Sequence, residues 1–465
     1  MTFRDDLVRA DKAHVWHPYT PMDVYIERVD PIVVASAKGA RFTDVDGRSY
    51  LDGNASWWVA SLGHGHPRLV DVLTAQARTL AHVSLGGITH EPAAKLAEEL
   101  VEAAPRGLSR VFYTDNGSGS VEVAVKIALQ RARRGFGERR CRFMALDGAF
   151  HGDTVGAASL GGVEVFRRPF AHVLFECVHV PFPDEESYAR AFATMRTMLE
   201  DEGETFAAVV VEPLLQGASG MRVYSAEFLR ELRALCDRKG VLLVFDEVFT
   251  GYGRTGAMWA SELAGVTPDV LCLGKTFASL LPMGATLVTE DVFDAFRGPP
   301  EHALYYGHTF AGNPLGAALA REVLAIYRDE EIVAGVRTRA PLFTAMASRL
   351  ATMPGVLRTR SLGFSAAVDL DPRAGSVRAV EPAGAETTED MQARGDAGAG
   401  YLSSVGWTVY AEALARGAYV RPLGSTVYVT PPLTSTESEL EELFAIFEAS
   451  VAAALGEGPS KVAPR

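Results

Sequence analysis

The sequence predicts an α/β protein built on a parallel sheet with helices on both faces. Two observations carry this. Short β-rich runs (Val111-Phe-Tyr, Ala207 to Val211, Val241 to Phe245) alternate with segments of helical period. The runs are also continuously apolar, as at 241–245, the pattern of a strand covered on both sides. The chain has 465 residues, 48% hydrophobic and 22% charged, which allows a large core and argues against disorder, collagen or coiled coil.

The clearest helix is Ser225 to Lys239. Phe228, Leu229, Leu232, Leu235 and Cys236 form one apolar face, Ser225 can cap the start and Gly240 follows the end. Thr43 to Asp52 reads as a hairpin turning at Asp46-Gly47. Residues 1 to about 60 otherwise look turn-rich, interrupted by Pro18, Pro21 and Pro31. Beyond about 335 helices and short strands mix, which suggests a smaller α+β domain. Asp371 to Gly400 lacks periodicity and reads as an exposed insertion, and Gly456 to Arg465 as a frayed tail.

The 45 basic and 58 acidic side chains leave a net charge of −13. Nucleic acid and anionic membrane surfaces are poor partners for such a field. The first residues are charged from Arg4 on and lack the apolar core of a signal peptide. The longest tempting uncharged run, Thr276 to Thr289, holds Pro282 and Gly284 and is too short to span a bilayer. Cys141, Cys177, Cys236 and Cys272 form no CxxC pair, and each is expected to be a small buried apolar residue. A cytoplasmic protein is the expectation.

Negative searches narrow the chemistry. There is no GxxxxGK[ST], no GxGxxG and no GxSxG. His14 and His17, and His64 and His66, lack the carboxylate context of a metal motif and read as turn or packing residues.

Four elements make chemical sense together. In VLLVFDEVFTGYGRTG, Asp246 ends a buried strand, at the edge where open α/β sheets bind ligands. Alone it could be only a turn cap. In DVLCLGKTFASLLPMGA, Lys275 follows another apolar strand and precedes an uncharged stretch. Desolvation there would lower the amine's pKa and make it a nucleophile towards an aldehyde. In VFYTDNGSGSVEVAVK, a strand passes through Gly117-Ser118-Gly119-Ser120 into a helix whose apolar positions are Val121, Val125, Ala128 and Leu129. Small residues at a helix start expose N–H groups that can hold a phosphate, although capping needs the same residues. In DGAFHGDT, Phe150 follows a strand and can stack on a planar ring. An amine, a carboxylate for a ring nitrogen, a phosphate cup and a stacking face suit pyridoxal 5′-phosphate.

The span DEVFTGYGRTG…PDVLCLGK resembles the signature of class III, or ω-type, aminotransferases of fold type I. The resemblance covers most of residues 12–365 and again about 401–433. Within the family, Trp16-His-Pro-Tyr-Thr, the Trp57-Trp58 pair, FHGDT, Gln216-Gly-Ala-Ser-Gly-Met and Arg421-Pro-Leu-Gly with Tyr428 most resemble one branch. Its members use S-adenosylmethionine to aminate 8-amino-7-oxononanoate in biotin synthesis. The resemblance implies a large domain at 61–330 around a mostly parallel seven-stranded sheet. It implies a small domain from 1–60 and 331–465, and a homodimer with shared active sites.

It also implies roles. Lys275 would form the Schiff base and shuttle a proton, and Asp246 would pair with the ring nitrogen. Gly117 and Ser118 would hold the phosphate, with Thr309 of the partner subunit and the loop shaped by His308. Phe150, where many members have Tyr, would stack on the ring. Tyr19, Trp57, Trp58, Phe150, Asp153, Gly307, Arg421 and Tyr428 would line the substrate site, with Arg421 as the carboxylate clamp. No metal is implied. His308 stands where many adenosylmethionine users have Pro, so lysine is the alternative donor. Another ω-aminotransferase, an aminomutase, or a cofactor-bound regulator without turnover are the rival readings.

Overall fold

The computed structural model describes residues 2–137, 139–373 and 405–456. Its central sheet has seven strands: β1 (Leu108–Thr114), β2 (Arg142–Leu146), β3 (Cys177–Val180), β4 (Phe206–Val211), β5 (Leu242–Asp246), β6 (Val270–Leu273) and β7 (Gly284–Thr289). They lie in the order β1-β7-β6-β5-β4-β2-β3. Only β7 runs against its neighbours, so six carboxyl ends share one edge of the sheet. The fold is the mostly parallel α/β architecture that the sequence implies.

Strands β4, β5 and β6 are buried at every residue. Their side chains alternate between two apolar clusters. Val209, Leu243, Phe245 and Leu271 pack on one face with Phe228, Leu229, Leu232 and Leu235 of the helix Ala226–Lys239. Ala208, Val210, Val244 and Val270 pack on the other with Val121, Val125 and Ala128 of the helix Gly117–Phe136. Strands covered on both faces need no polar alternation, which is why the sequence shows continuous apolar runs. The Ser225 hydroxyl caps the Phe228 N–H, and Gly240 closes the same helix at φ +61°.

The chain ends meet in two smaller sheets. Val34–Lys38, Arg41–Asp44 and Ser49–Asp52 form antiparallel neighbours, and Ala418–Tyr419 adds a parallel strand to the last of them. Val356–Leu362, Ser365–Leu370 and Thr426–Val429 make a three-stranded sheet. The hairpin turn at Asp46-Gly47 is present: the Asp44 carboxylate accepts the Asp46 and Arg48 N–H groups, and Gly47 sits at φ +82°.

Two expectations change. The N-terminal region is not only turns, because Phe3–His14 and Met22–Arg28 are helical. The first of these buries no residue and is secured by a Thr2–Asp5 capping box, a local signal easily lost among prolines. Cys236 and Cys272 are buried, but Cys177 is only half-buried and Cys141 is exposed. Cys141 sits at the entrance to β2 rather than within it, where the sheet's covering layers do not reach. The expected insertion at 371–400 and the tail at 456–465 fall, apart from Asp371–Arg373 and Gly456, outside the described residues. Among the described residues no helix is long and apolar enough to cross a membrane.

Gly53 stitches the two ends of the chain. Its N–H donates to the Tyr419 carbonyl at 2.9 Å and its carbonyl accepts the Thr430 N–H at 2.7 Å. A Cβ there would stand 2.8 Å from the Tyr419 oxygen. Gly53→Ala is therefore expected to destabilise the fold by about 1–3 kcal/mol, as overpacking does. Calorimetry that finds an unchanged Tm would refute this.

Candidate active site

Register builds the site. Asp246, the last residue of β5, lies opposite Cys272 of β6, and Lys275 follows three residues later. Glu212 directly follows β4, Phe150 and His151 follow β2, and Gly117 follows β1. All of these belong to one sheet edge.

The Lys275 backbone takes φ +49°, an uncommon left-handed conformation for a side-chain-bearing residue. Its amine stands 4.3 Å from the Trp58 ring centre and 5.4 Å from that of Phe249. Desolvation lowers its pKa to about 8, against the opposing pull of the Asp246, Glu212 and Asp153 charges. That places a large neutral fraction within reach of ordinary pH.

Asp246 is buried and doubly held. One carboxylate oxygen meets His151 Nδ1 at 2.8 Å, and the other accepts the Val248 N–H at 3.0 Å. His151 is fully enclosed. Burial disfavours its charge, but the hydrogen bond to Asp246 and the charges of Asp246 and Glu212 outweigh that, so its pKa lies above the usual imidazole value. Glu212 accepts the N–H groups of Phe150 and Gly217, at 3.1 and 2.9 Å. Burial pushes it up to about 7, with the His151 charge pulling the other way. Glu247, next in the chain to Asp246, faces away from this cluster's bonds and accepts the Ala260 and Ser261 N–H groups instead.

The helix Gly117–Phe136 starts close against its surroundings. A Cβ on Gly117 would lie 2.6 Å from Val248, one on Gly274 would lie 2.9 Å from Gly117, and one on Gly152 would overlap Ser118. Asn116 caps the helix through the Gly119 N–H at 2.7 Å. The Asp153 N–H donates to the Ser118 hydroxyl at 3.4 Å.

The remaining wall is aromatic. Ala55, Ser56, Trp57 and Trp58 all have positive φ, from +45° to +75°. Trp58, Phe249 and Tyr428 form a buried cluster against which Phe150 packs. The Tyr19 hydroxyl donates to Asp153, and its ring meets Trp57 at 5.7 Å and Phe166 at 5.4 Å. The Arg421 guanidinium lies 5.0 Å from the Trp57 ring and 5.6 Å from that of Trp407.

Lys275, Asp246, Gly117, Ser118, Phe150, Tyr19, Trp57, Trp58, Asp153, Arg421 and Tyr428 are thus linked within the single chain. Gly307, His308 and Thr309 are not joined to Lys275 or Asp246. Gly307 and Thr309 are exposed, the His308 imidazole comes to 4.0 Å from the Asp115 carboxylate, and the His308 carbonyl accepts the Ala311 N–H. Sequence reasoning missed His151, Glu212, Asn54 and Phe249. His151 stands inside the FHGDT segment and could have been found there. Glu212 could have been found as a carboxylate directly after an apolar strand. Among the described residues no group of three or more His, Cys, Asp or Glu side chains could hold a metal. His17 and His64 instead pair with Asp11 and Asp52.

A buried carboxylate backed by imidazole, a desolvated lysine and a glycine cradle at a helix start define the site of a pyridoxal-phosphate enzyme on a fold type I scaffold. The aminotransferase class III family model matches residues 24–451, and the chain belongs to that family. It is 40% identical over 442 residues to the adenosylmethionine-8-amino-7-oxononanoate aminotransferase of Synechococcus elongatus, covering 93% of this chain and 97% of that one. Against the enzyme of the same name from Geobacter sulfurreducens identity is 36%, covering 95% and 96%. The crystal structure of the same-named protein from Methanocaldococcus jannaschii superposes with a TM-score of 0.87 at 30% identity, covering 97% and 99% of the two chains. An omega transaminase from Pseudomonas jessenii, in complex with PMP, gives 0.86 at 28%, covering 97% and 100%.

Class III aminotransferases depend on pyridoxal phosphate, and the residues present fit it. The Lys275 amine has its pKa lowered to about 8 by desolvation, the Asp246 carboxylate is fixed, and the Gly117 cradle has no room for a side chain. Labelling of Lys275 in cofactor-free protein by an amine-selective reagent should therefore titrate with a midpoint near pH 8. Peptide mass spectrometry reads the midpoint, and one near the ordinary lysine value would refute the desolvated environment. His151→Leu should lower turnover, since it removes the hydrogen-bond partner that fixes Asp246. Equal turnover in the variant would show that Asp246 needs no brace.

Proposed function

We propose that this protein is a cytoplasmic homodimeric transaminase of biotin synthesis. It transfers the amino group of S-adenosylmethionine to 8-amino-7-oxononanoate and yields 7,8-diaminononanoate. Residues 61–330 are taken as the cofactor-binding unit, and 1–60 with 331–465 as the smaller one. One observation carries the reading. The Trp57-Trp58 dipeptide bridges two functional groups, with Trp58 against the Lys275 amine and Trp57 against the Arg421 guanidinium. Such a site suits a chain with a reacting carbon at one end and a carboxylate at the other. Relatives whose names carry both substrates support the choice of acceptor and donor.

Lys275, Asp246, Phe150 and the first amides of the helix at Gly117 and Ser118 would hold the cofactor, with His308 and Thr309 of a second copy closing the phosphate side. When bound, pyridoxal phosphate supplies an aldehyde for amine exchange and a ring that accepts the electron pair left on the substrate carbon. The protein's residues do the rest. Lys275 Nζ, the desolvated amine beside Trp58, would take a proton from the substrate carbon and hand it back; its pKa of about 8 suits both directions. Asp246, held by His151 and the Val248 amide, would offer a fixed carboxylate to the ring nitrogen. Arg421 offers a planar fork to the substrate carboxylate. The aromatic faces of Trp57 and Trp58 exclude water and receive the acyl chain, or the sulfonium and purine of the donor.

The test is a steady-state assay of 8-amino-7-oxononanoate with S-adenosylmethionine or lysine, the diamine read by mass spectrometry. Turnover with S-adenosylmethionine is expected. Turnover with lysine alone would overturn the donor, and none with either the acceptor. Lys275→Ala should abolish turnover while still binding cofactor. Arg421→Ala should lower kcat/KM for the acceptor by roughly tenfold to a hundredfold, the worth of about 1.5–3 kcal/mol for a hydrogen bond to a charged group. An unchanged value would place the substrate carboxylate elsewhere.

A further inference from the structure

We infer that Asn54 is the positioning residue that sets the carboxylate clamp against the aromatic wall; this rests on the reading of Arg421 given above. Left-handed backbone costs a side-chain-bearing residue about 1–2 kcal/mol. Four such residues in succession, Ala55 to Trp58, persist only if their surroundings fix them. Part of the fixing is local. The Asn54 carbonyl accepts the Trp58 N–H at 2.9 Å and the Ala55 carbonyl accepts the Ala60 N–H at 2.9 Å. The Ser56 hydroxyl donates to the Asp52 carboxylate at 2.8 Å, which His64 also meets at 2.9 Å.

The other part is long-range and passes through one side chain. The Asn54 amide oxygen accepts the Arg421 backbone N–H at 2.5 Å, and its nitrogen donates to the Tyr428 carbonyl at 3.3 Å. These partners are 367 and 374 residues away in the chain. They also dictate the amide's orientation, because a backbone N–H needs an acceptor and a carbonyl needs a donor. Asn54 is 2% exposed, so neither bond can be exchanged for water. Asp could keep the bond to Arg421 but would set an oxygen against the Tyr428 carbonyl. Leu could keep neither.

The consequence is a rigid triangle. Asn54 starts the turn that carries Trp57, and its side chain holds the backbone of Arg421. The guanidinium of Arg421 then stacks 5.0 Å from the Trp57 ring. Loss of the amide frees the clamp to shift relative to the ring, while Asp246, at the end of β5, and Lys275, just past the end of β6, stay in place. Asn54 would thus govern discrimination for a carboxylate-bearing substrate rather than the proton transfer itself.

The experiment loads the purified protein with pyridoxamine 5′-phosphate. It then follows the cofactor's absorbance on mixing with 8-amino-7-oxononanoate or with its methyl ester, which lacks the negative charge. Wild-type protein should prefer the acid. In Asn54→Leu the rate with the acid should fall about tenfold or more, with the ester rate within about threefold, so the preference collapses. Asn54→Asp, which retains one bond, should lie between. In an Arg421→Ala background Asn54→Leu should add little further loss, because the two residues act as one unit. Equal loss for acid and ester, or additive losses in the double variant, would overturn the inference while leaving Arg421 as the clamp. If Arg421→Ala itself spares the acid preference, the clamp reading fails and the inference falls with it.

Discussion

The parallel register of β5 and β6 is the constraint on which the rest of the site depends. It sets Asp246 beside Cys272 and brings the chain to Lys275 three residues later. Both strands are buried along their whole length, so neither can slip without exposing apolar side chains on two faces at once. The acid and the amine therefore inherit the rigidity of the core. Because β1, β2 and β4 point the same way, their following loops deliver the cradle, Phe150, His151 and Glu212 to the same edge.

Placing charge at that edge has an electrostatic cost, and the structure meets it by mutual compensation. Asp246 and Glu212 are buried acids, His151 and Lys275 the facing bases. His151 lies between the two acids in charge and bonds directly to only one of them. Its protonation is favoured, that of Lys275 is disfavoured, and the difference follows from contact. His151 has an acid at 2.8 Å, whereas Lys275 faces aromatic rings. Two bases at one sheet edge are thus driven in opposite directions, one to hold charge and the other to release its proton.

What was legible in the sequence follows the same physics. The buried strands, the capped helix at 226–239 and the strand-end residues Asp246 and Lys275 all come from local patterns: continuous apolar runs, a 3.6-residue period and a polar residue where a run stops. His151 and Glu212 lie beside patterned residues, but their partners come from other strands, and no local pattern encodes β-strand order. The left-handed turn at Ala55–Trp58 was illegible for a stronger reason. Its residues carry no preference for that backbone, and the contacts that impose it come partly from more than 360 positions away. The N-terminal helix was missed in the opposite sense, since its capping box is local but packs against nothing that periodicity could reveal.

The division of labour between sheet and chain ends explains how one fold serves different substrates. The sheet edge carries the groups that any amine exchange needs, and those groups are fixed by core packing. The aromatic wall beside that edge comes from segments outside the sheet: Tyr19 and Trp57-Trp58 from the N-terminal part, Arg421 and Tyr428 from the C-terminal part. These two parts are joined by the short parallel pair of Leu51 with Ala418, by Gly53 and by the side chain of Asn54. A change there can move the Arg421 guanidinium or an aromatic face without disturbing a single strand of the central sheet. The strain stored in the turn belongs with this arrangement: a backbone held away from its preferred basin by hydrogen bonds sets Trp58 against the Lys275 amine and Trp57 against the Arg421 guanidinium.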